Sequence, residues 1–193
     1  MTSRLLNFAK KFKSLYTGRY ALVTNTMTAG TIGCGADTLA QFLETVREEK
    51  EWDVTRSKNM TLIAFGFGPI VHYWFRFLDN TFPGTKGKSV AKKVSLDCAI
   101  APVFYFGYLG VLCFLKGYSW NEFVVEFKNK APLLLGTDLV FWPFLQSFNF
   151  LFIPPHYRII GLKFNELLVG VVMSHVVNNA YSFKGLVEWA KGR

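Results

Sequence analysis

Three aspartates stand almost alone inside long apolar stretches, and their isolation is the chemically informative feature of this chain. Tyr20–Phe42 carries one ionised side chain, Asp37; Val94–Leu115 carries only Asp97, and Leu133–Ile153 only Asp138. A fourth stretch, Met60–Leu78, carries only Arg76, with His72 one helical turn before it. Amides accompany these charges: Gln41 follows Asp37 by four residues, and Gln146 and Asn149 lie three apart. An ionisable group in hydrocarbon is costly and faces either a partner or water. The chemistry such residues suit is lining, pairing and registry. Asp37, Gln41, Thr31, His72, Asp97, Gln146 and Asn149 are therefore the candidate pore-lining or interhelical polar residues.

Catalytic patterns are missing from the sequence. There is no Ser/His/Asp order, no H-E-x-x-H, no spaced Cys/His ligand set and no nucleotide fingerprint. Gly30, Gly33 and Gly35 do not make a phosphate loop, because no Lys-Ser/Thr follows them. The expectation is a protein that is not an enzyme, with no catalytic residue, cofactor or metal. Cys34, Cys98 and Cys113 fall in apolar stretches without a C-x-x-C pair, so reduced, buried thiols are expected.

The elements that position these residues follow from length. The four stretches are 19 to 23 residues long, enough to cross roughly 30 Å of hydrocarbon at about 1.5 Å per residue. The fold class expected is an all-α integral membrane helical bundle with four spans, at about 20–42, 60–78, 94–115 and 133–153. A fifth apolar segment, 159–177, carries Lys163, Asn165, Glu166 and His175, and its crossing is left open. Lys163 and Glu166 are spaced to neutralise each other. Residues 1–19 hold Arg4, Lys10, Lys11, Lys13 and Arg19 and no acid. With Leu5, Phe8 and Phe12 at helical spacing they predict a basic amphipathic helix that resembles a mitochondrial address. Residues 20–178 form the helical membrane domain, and 179–193 a polar tail.

Several local arrangements follow. Thr24, Thr28, Thr31, Gly35, Thr38 and Gln41 form a small, weakly polar stripe suited to close helix packing or to a hydrated wall. Tyr73 and Trp74 suit an aromatic belt, and Trp74, Arg76 and Arg158 are expected as interfacial anchors. Arg76 is spaced to pair with Asp79, and Lys93 with Asp97. Residues 116–130 read as an amphipathic link on the membrane surface. The net charge of +9 comes from arms and loops between the apolar stretches. The basic amino-terminal arm and loop 79–93 share one side, and the mixed loops 43–58 and 116–130 the other. Four spans would return the carboxyl end to the basic side.

The stretch W-P-F-L-Q-S-F-N-F-L-F-I-P-P-H-Y-R, Trp142–Arg158, carries a resemblance. So do G-A-D-T-L-A-Q (Gly35–Gln41), G-F-G-P-I-V-H-Y-W-F-R-F-L-D (Gly66–Asp79) and K-K-V-S-L-D (Lys92–Asp97). Together they resemble the family of small four-span membrane proteins named after Mpv-seventeen and a peroxisomal membrane protein. Arg19–Thr26 and Asn149–Pro155 are most similar to a mitochondrial subgroup of it. The chain departs from the family pattern at Cys98, at Leu139 and over Met173–Asn178. The resemblance implies a non-enzymatic protein of the mitochondrial inner membrane, or alternatively of the peroxisomal membrane. For the subgroup it implies contact with the mitochondrial ribosome and support of large-subunit assembly and organellar translation. For other members it implies a non-selective channel affecting membrane potential and metabolite balance. The partners expected are the lipid bilayer, the large ribosomal subunit through the basic matrix-side surface, and a second copy of the chain. The resemblance to the subgroup favours the ribosomal role.

Overall fold

The computed structural model describes residues 2–48 and 51–178, and these residues are helical with no strand. The polar tail expected over 179–193 lies outside the described residues. Helix α1 (Thr2–Leu15) leads through a short 3-10 turn, Gly18–Tyr20, into α2 (Ala21–Glu48). Then follow α3 (Val54–Thr81), α4 (Gly87–Leu115), α5 (Trp120–Phe152), a second 3-10 turn at Pro155–Tyr157, and α6 (Arg158–Asn178).

The helix ends are set by local chemistry. Asp53 caps α3 by accepting from the Arg56 amide, 2.8 Å away. Ser119 and Glu122 form a reciprocal capping box that starts α5. Gly117, at φ +74°, ends α4: its own amide donates to Phe114 and the Tyr118 amide to the Cys113 carbonyl, a Schellman closure. Pro69, Pro102, Pro132 and Pro143 all lie inside helices. Continuous helix through proline is a trait that membrane bundles tolerate, because neighbours re-satisfy the freed carbonyls.

The four apolar stretches fall, but for terminal residues, within α2, α3, α4 and α5. One expectation needs correction. The link 116–130 is no separate surface element: from Trp120 it is continuous with the following stretch, because the capping box starts a helix that nothing stops before Phe152. At 33 residues α5 is about 50 Å long, longer than a hydrocarbon core. The segment 159–177, whose crossing the sequence leaves open, lies within α6. It is a full helix, packed along α2 and antiparallel to α5, with Asn165 Nδ2 donating to the Leu145 carbonyl at 3.2 Å. Its described residues therefore run from the basic end toward the opposite one.

The main helix pairings are α2 with α3 and α6, and α4 with α5. Glycines allow the α2–α3 approach: a Cβ on Gly33 would sit 2.4 Å from the Ala64 Cβ, and one on Gly68 2.8 Å from the Thr26 Cα. One apolar cluster, including Ile63, Leu109, Leu112, Phe123 and Leu134, closes the end where α3 and α5 begin. Another, including Phe75, Leu78, Val94, Phe150 and Leu162, closes the opposite end. The outer surface is strongly apolar, with Met27, Phe42, Ile70, Phe106, Phe114 and Phe144 all exposed. The interior holds charged and amide side chains. Among the described residues only α4 is by itself long and apolar enough to cross a membrane.

Candidate functional site

Between the two apolar clusters lies a cavity of about 270 Å³ that α2, α3, α4, α5 and α6 all line. Four carboxylates reach it: Asp37 from α2, Asp97 from α4, Asp138 from α5 and Glu166 from α6. Among the described residues Lys163 is the one cation in its wall, and aromatic rings such as Phe67, Trp74, Phe104 and Trp142 make much of the rest.

Each carboxylate has a different setting. Asp37 takes the Arg56 Nε at 3.0 Å and the Gln41 amide at 2.9 Å. The Arg56 fork also grips Glu44 through both terminal nitrogens, at 2.7 and 3.2 Å. Gln41 extends this network to Ser57 and to the Asp53 backbone. All of this ties the end of α2 to the start of α3. Glu166 is paired with Lys163 on its own helix, as their spacing predicts. Asp138 accepts from the Tyr105 hydroxyl at 2.5 Å. Asp97, 8 % exposed, accepts from Trp74 Nε1 at 2.7 Å, Trp142 Nε1 at 2.8 Å and Gln146 Nε2 at 2.8 Å. Three helices thus converge on one carboxylate, and every partner is neutral.

A separate ionic cluster sits toward the end where α3 and α5 finish. Asp79 binds Lys93 at 2.6 Å and also pairs with Arg158. Lys93 and Arg158 lie 5.2 and 5.0 Å from the Phe150 ring centre, so the buried ring supports two cations. Arg158 further donates to the Ile153 and Phe150 carbonyls, which closes the Pro154–Pro155 turn. Asn149 joins the two regions, donating to Gln146 and to the Arg158 carbonyl at 3.2 Å each.

The candidate residues therefore separate. Asp37, Asp97 and Gln146 line the cavity, and Gln41 orients Asp37 from behind. Asn149 and His72 are interhelical partners, His72 through Asn25 at 2.9 Å, and neither lines the cavity. Thr31 does neither. It is exposed, as are Gly35 and Thr38, and a Cβ on Gly35 would meet open space, so this part of the stripe faces outward while Gly30 and Gly33 take the packing and Gln41 turns inward. Arg158 is no interfacial anchor: it is 1 % exposed, because Asp79 and Phe150 hold it inside. Trp74 is half-buried and serves Asp97 instead of a belt. Arg76 is exposed, and its expected partner Asp79 turns inward to Lys93 and Arg158. Lys93 in consequence does not pair with Asp97.

Asp138, Tyr105, Trp142 and the Arg56 fork were not among the candidates. Asp138 had a signal, as the only ionised residue of its stretch. The Arg56–Asp37 pair had none, since it spans a turn of mixed charge in which many pairings are possible. Among the described residues no group of three or more His, Cys, Asp or Glu side chains is placed to share a metal ion.

The comparisons with known proteins agree on one family. The family model described as Mpv17 / PMP22 matches residues 113–174, which include all of α5 and most of α6. "PXMP2/4 family protein 4" of Dictyostelium discoideum is 32% identical over 163 residues, 81% of this chain and 88% of that one. "Mitochondrial inner membrane protein Mpv17" of Xenopus laevis is 32% identical over 157 residues, 80% of this chain and 88% of its own. The protein of that name from Rattus norvegicus is 33% identical over 135 residues, 69% and 77% of the two chains. No solved structure matches.

Proposed function

The chain belongs to the Mpv17 / PMP22 family and is a protein of the mitochondrial inner membrane, and on that premise we propose that it is a channel of low selectivity that prefers cations. The family also has peroxisomal members. On this reading α2 to α6 all cross the bilayer. The apolar exterior supports it, as do the prolines carried inside helices and the polar groups paired in the interior.

The observation that carries the channel reading is the cavity, where four carboxylates and one lysine come together from separate helices. Charge of one sign inside a low-dielectric wall concentrates the opposite ion. The Arg56–Asp37–Glu44 network and the Asp79–Lys93–Arg158 cluster flank this space along the bundle, and on this reading their ion pairs are what must part for ions to pass. Purified protein in planar bilayers should pass potassium in preference to chloride, and Asp97→Asn with Asp138→Asn should lower that preference several-fold. Bilayers that stay silent with both wild type and Arg56→Gln would sink the channel.

A second reading has its own support. Lys10, Lys11 and Lys13 of α1 and Lys86, Lys88 and Lys92 of the α3–α4 turn and α4 are exposed. They share one end of the molecule, since the Phe12 and Tyr16 rings lie 5.9 Å from Tyr157, beside Arg158. Such a surface suits ribosomal RNA or anionic lipid. It fits a membrane-anchored factor in assembly of the large mitochondrial ribosomal subunit and in organellar translation. In that case the protein should sediment with large-subunit particles at low salt, and reversing Lys86, Lys88 and Lys92 to Glu should release it. Sedimentation away from those particles at low salt would end this reading.

A further inference from the structure

Asp97 and Asp138 line the same cavity without a cationic partner among the described residues. The other two carboxylates are balanced, Asp37 by Arg56 and Glu166 by Lys163. An ionised carboxylate taken out of water needs a counter-charge as well as hydrogen bonds. Asp97 receives three neutral hydrogen bonds, two of them on Oδ2 and one on Oδ1. A carboxylate offers about four acceptor sites, so Oδ1 retains capacity beside the cavity.

The space and its walls restrict what supplies the missing charge. A volume of about 270 Å³ is many times the roughly 30 Å³ of one water, far larger than a bare monovalent metal ion. A hydrated ion in transit needs no fixed partner, but one held here would require polar walls, and most of the lining is aromatic or aliphatic: Phe67, Phe75, Ala101, Phe104 and Leu134 among them. Trp74 and Trp142, held by Asp97 through their ring nitrogens, also belong to the wall. Indole faces attract ammonium groups. Carboxylates for the charge, indoles around it and an apolar chamber for the body are the features that recognise an organic amine.

We propose that the cavity is a binding site for an organic ammonium cation, with Asp97 and Asp138 facing the charged nitrogen and the aromatic wall taking its hydrocarbon part. The proposal rests on the reading of this cavity as a space for solutes, and it requires no conduction.

The test uses the full chain in lipid nanodiscs, with phenethylammonium chloride as probe, followed by calorimetry and by tryptophan fluorescence. Saturable binding of one probe per chain is expected. Neutral 2-phenylethanol should bind at least tenfold more weakly, and excess potassium chloride should not displace the amine. Asp97→Asn and Asp138→Asn each keep the side-chain shape and should each weaken the amine at least tenfold. Equal binding of the alcohol, or an affinity that neither substitution changes, would overturn the proposal. Should Asp97→Asn lose its helical circular dichroism, Asp138→Asn alone decides. Amine binding by a protein that passes no current removes the channel and keeps this site. Currents from a protein that does not bind the amine do the reverse.

Discussion

Arg56 holds two carboxylates of the preceding helix at once, its Nε on Asp37 and its terminal nitrogens on Glu44. All three side chains are at least nine-tenths buried. Removing one member of such a group leaves charge in a medium that cannot solvate it, which costs roughly 3–5 kcal/mol. Arg56→Met should therefore destabilise the protein by about that much. The triple replacement Arg56→Met, Asp37→Leu, Glu44→Leu should recover most of the loss, since an apolar set of similar volume needs no counter-ion. Unfolding in a graded detergent mixture measures both, and a triple variant no more stable than the single one would refute the account. At this scale the sequence was legible only where partners are neighbours. Gln41 with Asp37 and Lys163 with Glu166 follow from one-turn spacing. Asp79 with Arg158 does not, because Asp79 and its two partners are brought together by three helices and no local rule distinguishes them from Arg76.

Helix α2 meets α3 through surfaces that leave no room for a methyl group. The Gly33 position is filled by the Ala64 side chain itself. Gly33→Ala should cost about 1–3 kcal/mol through overpacking, and adding Ala64→Gly should restore stability because it clears the same space. Failure of that rescue in thermal unfolding would show that the contact is not limiting. Helix α1 docks differently, by rings: its Phe12 and, just past its end, Tyr16 meet Tyr157, whose neighbour His156 lies 4.2 Å away centre to centre. Partial burial, and then Lys13, push the His156 pKa below its ordinary value. A lowered histidine pKa means that the fold prefers the neutral ring. The contribution is present above the ordinary value and is lost as the pH falls through about 6.5 and below. A spin label at Ser14 should thus become more mobile on acidification in wild type and not in His156→Gln. Equal mobility changes in both would remove histidine from the explanation. The sequence gives α1 its basic and apolar faces, but nothing in its spacing pairs it with a turn more than a hundred residues later.

Across the whole molecule, the bundle has two unlike ends and five long helices between them. One end carries α1, the α3–α4 turn and the Pro155–Tyr157 turn, and the other carries the α4–α5 turn and the end of α6. In a background with Cys34, Cys98 and Cys113 changed to Ser, single cysteines at Ser119 and Asn178 should react with a membrane-impermeant maleimide from the same side. A cysteine at Lys86 should react from the other. Labelling of Asn178→Cys together with Lys86→Cys would mean that α6 does not cross, and would return the chain to four spans.

The all-helical character, the places of the apolar stretches, the basic end and the rarity of internal charge were all set by composition and periodicity, which act locally along the chain. Four-residue spacing also determined the short pairings. The tertiary structure alone decided which internal charges meet, because Asp97 collects donors from α3 and α5, and Asp79 collects cations from α4 and α6. It also turned Thr31, Gly35 and Thr38 of α2 outward, set Gly30 and Gly33 against Phe65 and Ala64 of α3, and buried Gln41 of the same stripe beside Asp37. And it made 159–177 a full helix: a segment with a lysine, an asparagine and a glutamate is poorly apolar alone, and becomes a good interior element once Lys163 meets Glu166 and Asn165 meets the α5 backbone. Burial of a polar group is settled by the partner it finds, and the partner is a property of the fold.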